Sequence, residues 1–206
     1  MATAAKTYRK PRAKRVRAPR KDAKDLVPIS IIVDTREPEP LLWQLSQEGF
    51  DVSRQTMSTG DFLWITKDFK SVCIERKTVS DLLSSLAKRQ GNGKPRVVNQ
   101  LGRLSQTFDY PVLLIEGSMV ATADGNISAD GRPSTWAYNS IDNFLLTAQQ
   151  AGVLVVRCRK GEVPTRIRSL VYYFDKVDHL LPVRQSKDMA PDDTEYLDDT
   201  EEKEAA

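Results

Sequence analysis

The 206-residue sequence predicts an α/β domain with a mixed central β-sheet flanked by helices. Three observations carry that class. Strand-like runs recur at residues 29–34, 71–77, 112–117 and 153–156, and the run at 112–117 is continuously apolar, as in a strand covered on both faces. Segments with apolar residues at helical spacing lie between them, such as Val97, Leu101, Leu104 and Phe108. Residues 60–77 read as an antiparallel hairpin, so the sheet is mixed rather than purely parallel.

The first strand, Ile-Ser-Ile-Ile-Val-Asp at 29–34, is β-branched and ends in Asp34. Thr35-Arg36-Glu37-Pro38 follows, and Pro38 suits the first turn of a helix, where its missing N–H is not needed. That helix runs to Gly49, its stop, and buries Leu41, Leu42 and Leu45. Read this way, Asp34 and Glu37 are loop acids that favour a helix N-terminus. Residues 51–56 alternate and form the next strand.

Most of the chemistry lies in the hairpin. Residues 61–66 form its first strand, 67–70 the turn and 71–77 the second strand. Thr78-Val79-Ser80-Asp81 then has the form of a capping box ahead of the apolar Leu82, Leu83 and Leu86. Antiparallel pairing sets Asp61 opposite Glu75, 14 positions away in sequence. Glu75 and Lys77, two apart, project from one face of their strand. Two carboxylates and a lysine thus converge. Such a set can hold Mg²⁺, which prefers oxygen ligands and keeps waters and phosphate oxygens in its other positions. The ion would polarise a phosphate and acidify a bound water, with the lysine orienting that water. The same residues also fit a charged, solvated hairpin end followed by a capped helix. Phe62 and Trp64 share a side of their strand and read as core or interface rather than as base-stacking platforms.

Beyond the capped helix, which ends near Lys88-Arg89, Gln90-Gly91-Asn92-Gly93-Lys94-Pro95 is a breaker cluster, expected as a mobile loop. A second helix runs from about Arg96 to Phe108 and leaves Arg96, Gln100 and Arg103 near one another on a separate face. Arg76, Lys77, Lys88, Arg89, Lys94, Arg96 and Arg103 are seven cations within 28 residues, a phosphate track beside a metal-carboxylate centre and otherwise a solvated surface. Residues 112–117 read as a central strand, and 118–133 as a loop with a short hairpin, Met119–Ala121 against Asn126–Ala129. Residues 134–150 read as a helix with Trp136, Ile141, Phe144, Leu145 and Ala148 inward, and 153–156 as a strand. A last helix at 164–181 carries Ile167, Leu170, Val171, Phe174, Val177 and Leu181 at helical spacing, for core or dimer burial.

Asp61, Glu75 and Lys77 resemble the Asp…Glu-x-Lys core of the PD-(D/E)XK nucleases. More narrowly, Gly60-Asp61, Glu75-Arg76-Lys77 and Asp81 resemble the GD…ERK…D signature of the XPF-type structure-selective endonucleases. The segment Val33-Asp34-Thr35-Arg36-Glu37, the Arg96-x-x-x-Gln100-x-x-Arg103-Leu104 pattern and Leu113-Leu114-Ile115-Glu116 are similar to segments of that family in the same order. The resemblance covers about residues 29–180. It implies a restriction-endonuclease-like nuclease fold and metal-dependent cleavage of branched or flapped duplex DNA in repair, recombination or replication. Asp61, Glu75 and Asp34 would be the metal residues, with Mg²⁺ as cofactor and Mn²⁺ as substitute. Lys77 would orient the attacking water, and Asp81 would either assist the metal shell or only cap its helix. Arg36, Arg76, Arg89, Arg96, Gln100 and Arg103 would meet DNA or brace the site. The family's nuclease domains pair, so a homodimer or heterodimer is expected. The link at residues 88–95 is longer than the family's usual one, and Phe62 stands where tyrosine is common. Many members carry a tandem helix-hairpin-helix domain after the nuclease domain. Here 24 residues rich in acids follow Pro182, so the basic arm, a dimer or a partner protein would grip the DNA.

Composition sets the outer frame. The apolar content of 40% is globular, and no 18-residue apolar run or signal pattern occurs. Cys73 and Cys158 lack metal-ligand spacing, which indicates a reducing, intracellular setting. His179 is the only histidine, which removes His-metal nucleases and His-based triads. The net charge of +3 conceals an asymmetry: residues 1–25 carry +8 and residues 186–206 carry −7. The expected organisation is a disordered basic arm at 1–27, a nuclease domain at 28–182 and a disordered acidic tail at 183–206. The basic arm suits non-specific phosphate contact, localisation or solubility. Three further readings fit the same residues: a Holliday-junction resolvase or recombination-end nuclease on the same core, a catalytically silent DNA-binding partner subunit, and a binding protein working through its basic arm.

Overall fold

The computed structural model describes residues 29–176. The expected basic arm and acidic tail lie outside the described residues, as do Val177, His179 and Leu181. In chain order the elements are β1 (Ser30–Asp34), α1 (Glu39–Gln47), β2 (Asp51–Gln55), β3 (Phe62–Ile65), β4 (Ser71–Thr78), α2 (Val79–Ala87), α3 (Arg96–Thr107), β5 (Tyr110–Glu116), β6 (Met119–Ala121), β7 (Asn126–Ala129), β8 (Arg132–Ala137), α4 (Tyr138–Gln150), β9 (Leu154–Cys158) and α5 (Val163–Phe174).

Six strands form one sheet in the order β2-β1-β3-β4-β5-β9. The pairs β1–β2, β4–β5 and β5–β9 are parallel, whereas β1–β3 and β3–β4 are antiparallel. The sheet is therefore mixed because a tight hairpin is set into a parallel framework. Strand alternation then assigns each residue to one of two cores. Val72 and Ile74 join Phe62 and Trp64 in the core beneath α1 and α5. Cys73, with Leu113 and Ile115, enters the core beneath α2, α3 and α4. Fully burying side chains such as Phe62 and Ile74, both at 0% exposure, contributes roughly 1.5–3 kcal/mol each. The apolar stripe of α5 is spent on the first core, where Val163, Ile167, Leu170 and Val171 are buried.

The last helix, expected to run to residue 181, ends at Phe174, and two further segments differ from the sequence reading. The expected helix at 134–150 starts only at Tyr138, because Arg132–Ala137 is the third strand of a small sheet ordered β6-β7-β8. Asp130 and Gly131, at φ 50° and 79°, make the left-handed turn that reverses the chain between β7 and β8. Trp136 consequently packs on the second core from a strand rather than from a helix. Pro133 is tolerated because β8 is an edge strand.

The other concerns the breaker cluster at 90–95, expected as a mobile loop, which forms the tip of a hairpin at 88–96 closed by backbone hydrogen bonds. The N–H of Arg96 donates to the Lys88 carbonyl at 2.8 Å, and that of Gln90 to the Lys94 carbonyl at 2.9 Å. Arg89 and Pro95 form a β-bridge.

Candidate active site

Pairing of Phe62 with Ile74 places Asp61 across from Glu75, as the sequence predicts. The N–H of Asp61 donates to the Ile74 carbonyl at 2.7 Å, and its carboxylate accepts from the Arg76 N–H at 2.7 Å. Both ends of the aspartate are thus fixed by the backbone of β4. Gly60, at φ 81°, makes this approach possible: a Cβ there would lie 2.2 Å from Cys73 Sγ and 3.3 Å from Leu104 Cδ1. The glycine of the Gly-Asp pair is therefore a packing requirement.

Glu75 is buried at 3% exposure and faces the α3 side. Its Oε1 accepts from Lys77 Nζ and from Gln100 Nε2, the latter at 2.8 Å. The other end of that amide, Gln100 Oε1, is buried without a hydrogen-bond partner. Glu75, Lys77 and Gln100 therefore form one hydrogen-bonded group, and Asp61 faces it across the hairpin, close enough to feel the Glu75 charge. Burial, and then the charge of Glu75, push the Asp61 carboxyl up from 3.8 to about 7. Two carboxylates share a pocket in which Lys77 supplies a single compensating ammonium.

Asp34 sits beside this group, its N–H donating to the Asp61 carbonyl at 2.9 Å. Its Oδ1 accepts from the Arg36 backbone N–H (2.8 Å) and Nε (2.5 Å), and its Oδ2 from the Met57 N–H (2.7 Å). The hydrogen bond from Arg36, the largest influence, draws its carboxyl down to about 2. Among the described residues no three His, Cys, Asp or Glu side chains gather as a metal-binding group. Asp34, expected beside the metal, is held here by Arg36 and the Met57 N–H. Its charge is already compensated by Arg36, and it anchors the ends of β1 and the Met57 segment. Arg36 holds Asp34 and also feels the charges of Asp61 and Glu75, while 62% of its side chain stays exposed.

Arg76 lies on the opposite face, because it alternates with Glu75 and Lys77. Its Nε and Nη2 donate to Glu116 Oε2 at 3.0 and 2.6 Å, and its Nη1 to Glu37 Oε2 at 2.9 Å. Glu116 Oε1 also accepts from the Gly161 N–H at 2.8 Å. Of the two roles open to Arg76, bracing is the one realised: paired with two buried carboxylates, it is not presented to a phosphate. Glu37 and Glu116 were not singled out as partners of Arg76. The strand period was the available signal, since it places Arg76 across the sheet from its neighbours.

Asp81 is likewise explained by local structure. Thr78 Oγ1 accepts from the Asp81 N–H at 3.1 Å and donates to Asp81 Oδ2 at 2.7 Å, capping α2. The carboxylate is exposed in the first turn, and its capping contact with Thr78 is the role the geometry displays. Arg89, Arg96 and Arg103 are exposed, Arg96 and Arg103 on the helix that carries Gln100.

Comparison with known proteins agrees with this architecture. Residues 33–166 match the family model described as the ERCC4 domain. The chain is 31% identical over 121 residues to the 3′-flap repair endonuclease Xpf of Saccharolobus solfataricus, covering 58% of this chain and 44% of that protein. It is 40% identical over 87 residues to the DNA repair protein RAD1 of Saccharomyces cerevisiae, covering 42% of this chain and 7% of the relative. The chain thus spans less than half the length of these relatives. Among solved structures, XPF from Aeropyrum pernix superposes with a TM-score of 0.53 at 23% identity, covering 70% of this chain and 64% of that one. The same protein in complex with DNA gives 0.53 at 22% identity, covering 74% and 68%. The hairpin, the sheet order around it and the match across residues 33–166 lead to one assignment: the chain belongs to the ERCC4 domain family and has the restriction-endonuclease-like fold of an XPF-type nuclease domain.

Proposed function

We propose that this domain is a divalent-cation-dependent endonuclease that hydrolyses phosphodiester bonds in branched or flapped duplex DNA. The observation that carries the reading is the hydrogen-bonded group Glu75, Lys77 and Gln100 with Asp61 facing Glu75 across the hairpin, in an ERCC4 family chain. The relatives include a protein named as a 3′-flap repair endonuclease, and a structural neighbour was solved with DNA, which supports the substrate class.

The donor set fits a hard cation. Asp61 and Glu75 offer carboxylate oxygens, and the buried, unpartnered Gln100 Oε1 offers a third oxygen. Burial, and then the Glu75 charge, raise the Asp61 carboxyl, and a bound cation would offset both. Mg²⁺ or Mn²⁺ held by these residues would supply charge neutralisation at the scissile phosphate and a more acidic water. The chain's own groups do the positioning. Lys77, held by Glu75, keeps its remaining N–H bonds for the attacking water and the developing phosphate charge. Arg36, tethered to Asp34 and largely exposed, offers further donors to a non-bridging phosphate oxygen. Pairing with a second copy or a related chain belongs to the same reading, with exposed Leu154 on β9 and Tyr172 on α5 as available contact surface.

The test is cleavage of labelled flap, three-way and four-way DNA with Mg²⁺ or Mn²⁺, comparing wild type with Glu75→Gln and Lys77→Ala. Metal-dependent cutting by wild type, lost in both variants, is the expected result. The preferred junction separates a flap endonuclease from a four-way resolvase. Wild type that binds these DNAs and never cuts, even with Mn²⁺, overturns the reading and leaves a silent partner subunit.

A further inference from the structure

The hairpin at residues 88–96 has a charge pattern unlike the rest of the domain. Between Asp81 and Asp109 the sequence contains no acidic residue and five cations, Lys88, Arg89, Lys94, Arg96 and Arg103. All five are exposed, and among the described residues none of them forms an ion pair. Charges left uncompensated on a surface of this size define an electrostatic footprint for a polyanion.

The hairpin is also held in shape. Asn99 of α3 donates to Gln90 Oε1 at 2.6 Å and to Asn92 Oδ1 at 3.0 Å, and accepts from Asn92 Nδ2 at 2.8 Å. Arg89 spends one guanidinium N–H on the Gly93 carbonyl at 2.8 Å. The amides of the tip are thereby locked to the helix that carries Gln100, which touches Glu75.

Spacing along α3 points the same way. Arg96 and Arg103 are seven residues apart, two turns, so they lie on one side of the helix about 10 Å apart along its axis. That is close to three base-pair rises of roughly 3.4 Å along a duplex axis. Gln100 lies between them, so a strand seated at Glu75 would meet an arginine on either side. Residues 88–103 contain no aromatic side chain. Single-strand binders pair their basic grooves with aromatic platforms for base stacking, whereas a cationic surface without aromatics tracks backbone.

We infer that the hairpin at 88–96, with Arg96 and Arg103 of α3, is a clamp for the phosphate backbone of the double-stranded arm beside the scissile bond, indifferent to base sequence. The inference rests on the endonuclease reading for its orientation and deepens it, because it makes the duplex arm the part of the substrate that this face grips. The amide-locked tip fixes where the cations stand, and α3 transmits that placement to the group around Glu75.

The experiment measures binding rather than cutting, so its outcome is independent of whether the domain cleaves. In a Glu75→Gln background, Kd is measured for a duplex and for a single strand of equal length across a salt series. The reference is compared with the triple variant Lys88→Gln, Arg89→Gln, Lys94→Gln, and thermal melts verify that both fold. The expected result is a duplex affinity lower by about tenfold or more, with the slope of log K against log salt shallower by roughly 3, about 0.9 for each cation removed. Single-strand affinity changes by less than half as much on the logarithmic scale. A second variant, Asn99→Ala, keeps every cation and should weaken duplex binding two- to fivefold with the salt slope unchanged. A triple variant with wild-type slope and affinity overturns the clamp. So does an equal loss for single-stranded DNA.

Discussion

Replacing Asp61 by asparagine should stabilise the metal-free domain at pH 8. The side chain is partly buried opposite Glu75, and burial together with that charge raises its carboxyl from 3.8 to about 7. At about 1.4 kcal/mol per tenfold change in proton affinity, this displacement corresponds to roughly 4 kcal/mol. Because Glu75 shares in the interaction, the part released by neutralising Asp61 is on the order of 2–4 kcal/mol. The sign follows from linkage. A carboxyl raised in the folded state favours folding while it is protonated. That contribution is complete below the unfolded value near 4 and is lost as pH rises through about 7. Asparagine keeps an oxygen to accept from the Arg76 N–H and carries no charge at any pH. Urea unfolding in EDTA, followed by fluorescence of the buried Trp64, should show Asp61→Asn gaining on wild type as pH rises, with a smaller gap at pH 5 than at pH 8 and an unchanged m-value. Adding Mg²⁺ at pH 8 should raise the wild-type midpoint and leave the variant's in place. The reasoning fails if Asp61→Asn is the less stable protein at pH 8, or if the gap does not grow between pH 5 and pH 8.

Two other substitutions follow from the geometry. Gly60→Ala forces a Cβ against Cys73 Sγ at φ 81° and should cost about 3 kcal/mol or more in chemical denaturation. Gly60→Ala combined with Cys73→Ala should recover the clash and retain roughly 1 kcal/mol of backbone strain. Asp81→Ala keeps the backbone N–H that bonds Thr78 but removes the carboxylate that accepts from Thr78 Oγ1 in the first turn, and should lower stability by about 0.3–1 kcal/mol while kcat stays within twofold. A hundredfold fall in kcat in an otherwise folded Asp81→Ala protein would restore it to the reacting centre.

The parts of this domain that could be read from sequence are those with one dominant local signal. Alternation in residues 61–66 and 71–77 fixed both the hairpin and the facing of Asp61 with Glu75, because a one-residue slip would exchange the residues that β4 sends to its two cores. Helical spacing likewise placed Gln100 and Arg103 together on α3. Asp34 was harder. Its acidity suggested a ligand, but its hydrogen bonds come from Arg36 nearby and from Met57, a residue 23 positions away whose approach depends on the path between β2 and β3. Strand β8 was missed although Asp130-Gly131 is a strong turn signal, because the apolar residues of α4 extend the helical pattern backwards through Trp136. The bracing of Arg76 by Glu37 and Glu116, 39 and 40 positions away, is a product of tertiary register that no local window contains.

The three consecutive residues Glu75, Arg76 and Lys77 belong to two compartments of the molecule, divided by the plane of the sheet. A selection acting on yield and one acting on turnover would therefore separate neighbours in the chain. Losing Arg76 strands Glu37 and Glu116 without their cation and removes folded protein, whereas losing Glu75 or Lys77 leaves the bracket between α1 and α5 intact. The apparent unity of the motif comes from the strand that carries it. Its middle letter ties the scaffold together through Glu37 and Glu116, while its outer letters face the group around Asp61 and Gln100.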